Sequence, residues 1–278
     1  MKSVVVTGSS TGIGWGAAKV LVDKGFRVFG SVRKAADGER LRREFGPAYV
    51  PLLFDVTDAA AVGKAAELVS AALAGETLFG LVNNAGIAVP GPLLYLPLED
   101  FRRQLEVNLT GQLIVTQAFW PLLKGKTPGR IVMISSVSGR NAAPFVGAYS
   151  ASKFGLEGFS EALRREAMAF GIDVIVVAPG AVATPIWDKA EALDVSPYAA
   201  TPYAAALDKV RNFMITLGRR GFPPEHLGRT IHRALTVRRP KPRYTVAPDP
   251  LANFLAGALP KRLIDRLYAK RLGLMPEY

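Results

Sequence analysis

Short apolar runs alternate with longer amphipathic segments over the first 180 residues. The runs are rich in β-branched residues and end in turn signals: SVVVTG (3–8), RVFGSV (27–32), YVPLLFDV (49–56), LFGLVNNAG (78–86), RIVMISS (130–136) and DVIVVAPG (173–180). Helical patterns begin between them, for example near Gly14 and Ala59. Continuous apolar strands separated by helices are typical of a parallel sheet covered on both faces. The pattern therefore predicts a Rossmann-type doubly wound α/β fold, which binds ligands at the carboxyl ends of its strands.

The alternation ends after Gly180. Residues 181–225 hold five prolines among apolar and aromatic residues. A long excursion at this point of an α/β fold is usually functional, so we expect a helical substrate lid there. A last strand is expected in RYTVAP (243–248), followed by a basic amphipathic extension over 249–278. No linker or repeat interrupts the chain, which predicts one domain over residues 1–278.

Composition narrows the function. The 278 residues are 49% hydrophobic, enough for one sizeable core. The absence of cysteine excludes disulfides and thiol nucleophiles, and the spacing of the two histidines, His226 and His232, does not fit a zinc pair. We therefore predict no metal site. No secretory signal or apolar stretch of about 18 residues is visible, which favours a cytoplasmic protein.

Positive charge is concentrated toward the C-terminus. Residues 1–200 carry 20 Lys and Arg against 18 Asp and Glu, whereas residues 201–278 carry 15 against 5. No nucleic-acid-binding signature accompanies this charge, so a nucleic-acid partner is not expected. Peripheral membrane contact stays open, because KRLIDRLYAKRLGL can place apolar side chains on one helical face: Leu263, Ile264, Leu267 and Leu272. The alternatives are a tail that closes over the substrate site or packs on a second subunit, and a solvated basic surface.

The segment VVVTGSSTGIG (4–14) predicts a strand, a glycine turn and the start of a helix. Gly8 permits the turn, Gly12 allows backbone to approach a pyrophosphate, and Gly14 allows close packing of helix on strand. The helix N-terminus offers N–H groups to phosphates. Three residues separate the first two glycines, unlike the G-x-G-x-x-G spacing, and the loop alone also fits a plain strand-to-helix turn.

Further motifs follow at successive strand ends. NNAG (83–86) follows the fourth strand, VNLTG (107–111) lies in the next helix, and ISS (134–136) ends the fifth strand. YSASK (149–153) and PGAVAT (179–184) complete the series. Together the motifs resemble the classical short-chain dehydrogenase/reductase family over roughly residues 3–185, with a profile similar to its steroid and retinol dehydrogenases. The resemblance implies a homodimer or homotetramer assembled through helices near residues 100–120 and 147–170.

The resemblance also implies residue roles. Around a dinucleotide it places three groups of residues: Thr7, Gly8, Ser10, Gly12, Ile13 and Gly14 at the phosphates; Asp55 and Val56 at the adenine; and Asn83, Ala85 and Gly86 beneath the cofactor. At the nicotinamide end it places Pro179, Gly180 and Thr184, with Tyr149 and Lys153 also touching the cofactor. The implied catalytic tetrad is Asn108, Ser136, Tyr149 and Lys153. The spacing of 13 residues to the tyrosine favours Ser136 over Ser135.

The end of the second strand bears on cofactor choice. An acid there accepts hydrogen bonds from a free ribose hydroxyl and repels a 2′-phosphate. This chain has Val32 at that place, with Ser31 and Arg33 on either side. These two could hold a phosphate through charge-assisted hydrogen bonds. We therefore predict NADP(H) as the cofactor.

Tyr149 and Lys153 stand one helical turn apart on the same face. A phenol with a pKa near 10 is a poor base at neutral pH. We expect the lysine, with the positive charge of an oxidised nicotinamide, to lower that pKa by roughly 3 units. Tyr149 would then act as the general acid/base, and Ser136 would polarise the substrate oxygen. By resemblance, Asn108 helps a water chain to carry protons to the lysine.

The residues expected near the substrate, besides Ser136, are apolar or aromatic: Val89, Pro90, Phe145, Val146, Trp187 and Tyr198. An apolar pocket with one polar cluster suggests a hydrophobic secondary alcohol or ketone, steroid-like or retinoid-like. A 3-oxoacyl thioester reductase is an alternative, because an acidic carrier or coenzyme A would suit the basic C-terminus. A non-catalytic NADP(H)-binding regulator is a second alternative, although such proteins usually lack the tyrosine or the lysine.

Overall fold

Seven parallel strands form a single sheet in the computed structural model, which describes residues 1–192 and 194–275. The strands are β1 Ser3–Val6, β2 Arg27–Val32, β3 Tyr49–Leu53, β4 Gly80–Asn83, β5 Arg130–Ile134, β6 Asp173–Pro179 and β7 Arg243–Val246. Their order across the sheet is β3-β2-β1-β4-β5-β6-β7. The chain reverses its direction of winding between β1 and β4, and this point is where a doubly wound sheet opens a ligand crevice. The predicted fold is confirmed.

Helices cover both faces of this sheet. They are α1 Gly12–Asp23, α2 Ala35–Phe45, α3 Ala59–Leu73, α4 Leu98–Leu105, α5 Gly111–Leu123, α6 Gly147–Ala167, α7 Ile186–Glu191, α8 Ala204–Arg219, α9 Pro224–Thr236, α10 Pro250–Ala258 and α11 Lys261–Leu272. Helices α3, α5 and α6 pack on one face, and α1, α2 and α9 pack on the other. Two hydrophobic cores result, one on each side of the sheet.

The apolar runs are continuous because each strand supplies both cores. In β1, Val5 faces the α3–α5–α6 core, whereas Val4 and Val6 face the other core. All three side chains are completely buried. Burying a valine stabilises the fold by about 1.5–3 kcal/mol, so polar residues are strongly disfavoured within these strands.

Three of the strands end close to the turn signals that close their apolar runs. The β1, β4 and β5 ladders stop at Val6, Asn83 and Ile134, and the following residues leave the sheet as loops. Gly8 adopts a φ of 66°, a conformation that suits glycine and turns the chain away from the ladder. These loops meet at one edge because parallel strands all end on the same side.

The segment after β6 returns to its own starting point. The backbone N–H of Ala183 donates to Phe222 O at 2.9 Å, and the N–H of Phe222 donates to Ala181 O at 3.1 Å. Helices α7 and α8 lie within the loop that these bonds close. The segment is therefore helical, as predicted for a lid, although Leu193 of that range lies outside the described residues.

The C-terminal extension packs against this helical segment. Leu272 at the end of α11 is buried in a small cluster with Phe145, Tyr198 and Leu207. The buried side of the extension therefore contacts the cluster that contains two predicted substrate residues, Phe145 and Tyr198. Residues 276–278 lie outside the described residues.

Candidate active site

The glycine loop leads directly into α1. A Cβ atom at Gly14 would lie 2.2 Å from the carbonyl oxygen of Gly8, so only glycine lets the helix start this close to the loop. Within the described residues, the N-cap Thr11 makes no side-chain hydrogen bond to the first turn of the helix. The first N–H groups of α1 thus keep their capacity to bind an anion, which fits a dinucleotide pyrophosphate. Gly12, with φ of 59°, lies against Thr184 from the end of β6.

Thr7 supports the loop from below. Its hydroxyl accepts hydrogen bonds from the backbone N–H groups of Asn84 and Ala85, each at 2.9 Å. The Asn84 amide in turn donates to the carbonyl oxygens of Thr7 and Gly8, at 2.8 and 3.2 Å. Thr7 is completely buried, and its side chain joins β1 to the end of β4. That the loop from Thr7 to Gly14 wraps the cofactor phosphates stays a prediction.

Asn83 also faces away from the crevice. Its Nδ2 donates to Thr116 Oγ1 at 2.8 Å and approaches Met133 Sδ at 3.2 Å, and its side chain is buried. As the last residue of β4, Asn83 points its side chain into the α3–α5–α6 core. That the segment 83–86 shapes the floor beneath the cofactor stays a prediction. Asn84, which sequence reasoning did not single out, stabilises the glycine loop. The period-2 alternation of a strand could have separated the two asparagines.

The two residues expected to bind a phosphate at the end of β2, Ser31 and Arg33, lie in different environments. Ser31 is buried, and its Oγ accepts from the Gly8 N–H at 2.9 Å. The Ser31 hydroxyl thus supports the loop. Its bond to a cofactor phosphate stays a prediction, since a hydroxyl that accepts one hydrogen bond can still donate another. The Arg33 side chain is 69% exposed, with Nη1 3.7 Å from Asp55 Oδ2. Arg33 and Asp55 thus share the open rim of the crevice beyond Val32.

A second guanidinium lies beside the loop. Arg40 of α2 donates from Nη2 to the Ser10 carbonyl oxygen at 2.7 Å. It also lies 3.6 Å from the Asp37 carboxylate and 3.3 Å from the Glu44 carboxylate. Sequence reasoning missed Arg40, because the basic run of α2 does not show which of its arginines turns toward the loop.

Helix α6 brings Tyr149 and Lys153 to the end of β5. The Lys153 side chain is buried, and its Nζ donates to the Ile134 carbonyl oxygen at 2.8 Å. The ammonium lies 5.8 Å from the centroid of the Tyr149 ring. The Ser136 hydroxyl forms a hydrogen bond with Tyr149 and accepts from the Ser138 N–H at 3.0 Å. Three of the four predicted tetrad side chains therefore meet at one place.

Burial shifts the ionisation of both members of this pair. Burial raises the pKa of Tyr149 above its ordinary value, and the hydrogen bond from Ser136 opposes this only in part. Burial also lowers the pKa of Lys153 to about 8, against the opposing effect of the Glu157 carboxylate. Tyr149 is consequently a proton donor at neutral pH. The lowering of the phenol pKa by Lys153 together with the charge of an oxidised nicotinamide stays a prediction.

Asn108 lies in a π-helical turn, Glu106–Thr110, between α4 and α5. Its Oδ1 accepts from the Ile87 N–H at 2.8 Å, and its Nδ2 donates to Ile87 O at 2.9 Å and Ser152 Oγ at 3.1 Å. The buried amide thereby joins the loop after β4 to α6, one residue from Lys153. Such π turns are frequent at functional sites.

Ser135 and Ser136 differ in environment. The Ser135 hydroxyl is buried and has no hydrogen-bond partner among the described residues. Ser136 is the one that reaches Tyr149. The structure thus agrees with the 13-residue spacing in separating the two serines.

The predicted substrate residues fall into two groups. Val89, Pro90, Phe145 and Val146 lie on paired segments, since the Gly91 N–H donates to Phe145 O at 2.7 Å. Trp187 is held elsewhere: its indole N–H donates to Val182 O at 2.6 Å, and its ring packs against Gly218 of α8. The remaining predicted cofactor residues lie at the same edge of the sheet: Ser10, Ile13, Val56, Ala85, Gly86, Pro179 and Gly180.

Comparisons with known proteins agree with this geometry. The family model described as short chain dehydrogenase matches residues 2–194. The NADPH-dependent 3-dehydrocapnine reductase of Ornithobacterium rhinotracheale is 36% identical, and the match covers 98% of each chain. Human retinol dehydrogenase 5 is 37% identical over 94% of this chain and 86% of its own. The crystal structure of a short-chain dehydrogenase from Streptomyces avermitilis superimposes with a TM-score of 0.78 at 25% identity, covering 100% of this chain and 98% of that one.

Thr7 and Ser135 are both buried, but only the Thr7 hydroxyl has hydrogen-bond partners among the described residues, so we expect their substitution to affect the free energy of unfolding differently. Replacing Thr7 by valine leaves two buried backbone N–H groups without an acceptor, which should lower the free energy of unfolding by about 1–3 kcal/mol. Ser135→Ala removes a hydroxyl that has no partner and should leave stability unchanged or slightly higher. Urea denaturation of both variants measures this difference. Equal destabilisation of the two would contradict the assigned role of Thr7.

Proposed function

The chain belongs to the short-chain dehydrogenase family, and on that premise we propose that it uses NADP(H) to reduce a hydrophobic ketone to a secondary alcohol. Members of this family are oxidoreductases of alcohol and carbonyl groups, and this general activity follows for the chain from its membership. The cofactor, the direction and the substrate class are our proposals. The observation that supports the reaction is the meeting of Tyr149, Ser136 and Lys153 at the carboxyl edge of the sheet. The cofactor and the substrate class are argued from the rim at Arg33 and from the apolar substrate side.

The side chains of this site suit protonation of a carbonyl oxygen. When bound, the nicotinamide supplies the hydride. Tyr149 donates its hydroxyl proton to the developing alkoxide, and Ser136 orients the oxygen by a second hydrogen bond. Lys153, charged below a pKa of about 8, stabilises the phenolate that Tyr149 leaves behind. A phenol is protonated at neutral pH, and we therefore propose that Tyr149 acts as the proton donor in the direction of reduction.

Preference for NADP(H) is supported by the rim of the crevice. Val32 is buried where an acid would bind the ribose hydroxyls, and Arg33 is exposed beside it. A guanidinium can bind a 2′-phosphate through charge-assisted hydrogen bonds. The relative from Ornithobacterium rhinotracheale carries NADPH dependence in its name. We assign the phosphate to Arg33; Arg40 is a second guanidinium beside the glycine loop.

Substitution of Arg33 tests the cofactor proposal. Arg33→Ala should raise KM for NADPH about 10- to 100-fold, since charge-assisted hydrogen bonds contribute about 1.5–3 kcal/mol. The KM for NADH should change little, because NADH has no 2′-phosphate. Lys34→Ala, a neighbouring exposed cation, is the matched control. Equal affinity of the native protein for NADH and NADPH, or equal losses in the two variants, would refute the proposal.

The substrate side favours an apolar molecule. Val89 and Phe145 are buried, and Phe145 packs with Tyr198 and Leu207 of the helical excursion. The likeness to retinol dehydrogenase 5 supports a large hydrophobic substrate, steroid-like or retinoid-like. A 3-oxoacyl thioester is the alternative substrate, and a regulator without activity is the alternative class.

A substrate panel separates these functions. Oxidation of NADPH is followed with a steroid-like or retinoid-like ketone and with an acetoacetyl thioester, and we expect turnover with the hydrophobic ketone. Tyr149→Phe should lower kcat about 100- to 10,000-fold, the usual contribution of a general acid, while leaving NADPH binding intact. Ser135→Ala should keep native activity. Faster reduction of the thioester would identify the alternative substrate, and no turnover of any ketone would favour the regulator.

Helix α11 suggests a partner for the basic C-terminus. Leu263 and Leu267 lie one turn apart and are 43% and 54% exposed. Exposed cations surround them on the same helix: Arg262, Arg266 and Lys270. An apolar stripe bordered by cations is typical of a helix that lies in the surface of an anionic bilayer. Among the described helices none has the length and apolarity needed to cross a membrane. We propose that α11 rests on anionic lipid, near the segment that would admit a hydrophobic ketone.

Vesicle flotation tests this contact. The double variant Leu263→Asn/Leu267→Asn should lower binding to phosphatidylglycerol vesicles at least about tenfold, because each buried leucine contributes about 1.5–3 kcal/mol. Leu68→Asn/Met168→Asn, at exposed positions on other helices, is the control and should bind normally. Equal binding of all proteins, or equal binding to phosphatidylcholine, would contradict the proposal. A loss of dimers in the α11 variant by light scattering would assign the stripe to a second copy instead.

The expected homo-oligomer and the cytoplasmic location stay predictions. A groove on α5 and α6, partly apolar and lined by Leu113, Trp120 and Phe159, offers a surface for a second copy. It lies on the two helices that the family resemblance indicates.

A further inference from the structure

Glu157 is a largely buried carboxylate one helical turn beyond Lys153 on α6. Its side chain is 14% exposed, as is that of Arg243 on β7. Arg243 Nε lies 3.0 Å from Oε2 and 3.2 Å from Oε1 of Glu157. The side chain of Arg140, in the loop after Ser136, approaches the same carboxylate at 3.6 Å. Glu157 therefore joins α6, β7 and the loop that carries Ser136.

The loop packs directly on this helix. A Cβ atom at Gly139 would lie 3.0 Å from Glu157 Cγ and 3.0 Å from the carbonyl oxygen of Lys153. The turn Val137–Gly139 begins at Ser136, whose hydroxyl caps it. Contacts that hold the Glu157 side chain therefore also restrain the loop that carries Ser136.

We propose that Glu157 is a positioning residue that acts through Lys153, and that Arg243 and Arg140 set how strongly its charge is felt there. The proposal rests on the function proposed above, and it adds Glu157 and its two arginine partners to the residues that control the site. Glu157 does not contact the reacting atoms in this arrangement. Its carboxylate sustains the positive charge of Lys153, while its arginine partners limit that effect.

The groups that face Lys153 are few in the part of the chain that the structure describes. On α6 they are Tyr149 and Glu157, and on β5 the Ile134 carbonyl oxygen. Residues four apart on a helix have Cβ atoms about 5–6 Å from each other, close enough for substantial Coulomb interaction in a buried site. Arg140 and Arg243 each pair with the Glu157 carboxylate, so we expect them to act on Lys153 through it.

The two members of the ion pair should shift the ionisation of Lys153 in opposite directions. Burial lowers the pKa of Lys153 to about 8, and the Glu157 carboxylate raises it. Removing that carboxylate lowers the pKa further, so the ammonium is lost at lower pH. Removing Arg243 leaves the carboxylate less neutralised, so the ammonium persists to higher pH.

The test compares Glu157→Gln with Arg243→Gln. In Glu157→Gln the alkaline limb of the kcat/KM profile for ketone reduction should move about one pH unit lower, the lower end of the shift that a nearby opposite charge produces. In Arg243→Gln it should move higher. Glu157→Asp, which keeps the charge, should stay close to the native profile. NMR titration of the Lys153 ε-carbon in the cofactor-free variants gives the same quantity without turnover.

A merely structural role predicts another result. Both variants break the same ion pair and should lose similar stability, so a structural defect would move both profiles in the same direction or lower kcat without moving either. That outcome would overturn the proposal. If the native protein reduces no ketone, the proposed function fails, whereas the NMR titration still decides the effect of Glu157 on Lys153.

Discussion

The hydrogen bond from the Lys153 ammonium to the Ile134 carbonyl oxygen joins the longest helix to the end of a central strand. An ammonium is rarely buried unless a carbonyl or an anion compensates its lost hydration. Here Ile134 supplies the carbonyl and Glu157 the nearby anion. The position of Tyr149 follows, because it lies one turn earlier on the same helix. Ser136 follows as well, since it stands two residues after Ile134. The geometry of the site therefore depends on one satisfied buried cation.

Much of the architecture could be predicted from the sequence because burial on both faces constrains every strand residue. Val4, Val5 and Val6 suit a strand that contributes to both cores. The crevice at the carboxyl edge then follows from parallel topology, because all strands end on one side of the sheet. Apolar residues such as Phe54 remain buried after the ladder has ended, so the apolar pattern runs past the end of a strand.

The direction and ionisation of individual side chains could not be predicted in the same way. Thr7, Ser31 and Asn83 have the residue types that bind phosphates and sugars, yet the structure uses each of them for internal hydrogen bonds. The raised pKa of Tyr149 depends on the extent of burial, which spacing along a helix does not reveal. Pairing between Glu157 and Arg243 spans 86 residues of sequence, and no local pattern indicates it.

Ser31 accepts a hydrogen bond from the Gly8 N–H, so the residue that supports the glycine turn differs from the residue at the rim of the crevice. Ser31 lies under the turn and Val32 lies in the core, so packing constrains both residues. Arg33 alone of the three is on the exposed rim, where its exchange leaves the turn intact. If Arg33 selects the coenzyme as we propose, a change of coenzyme needs no rebuilding of the glycine loop.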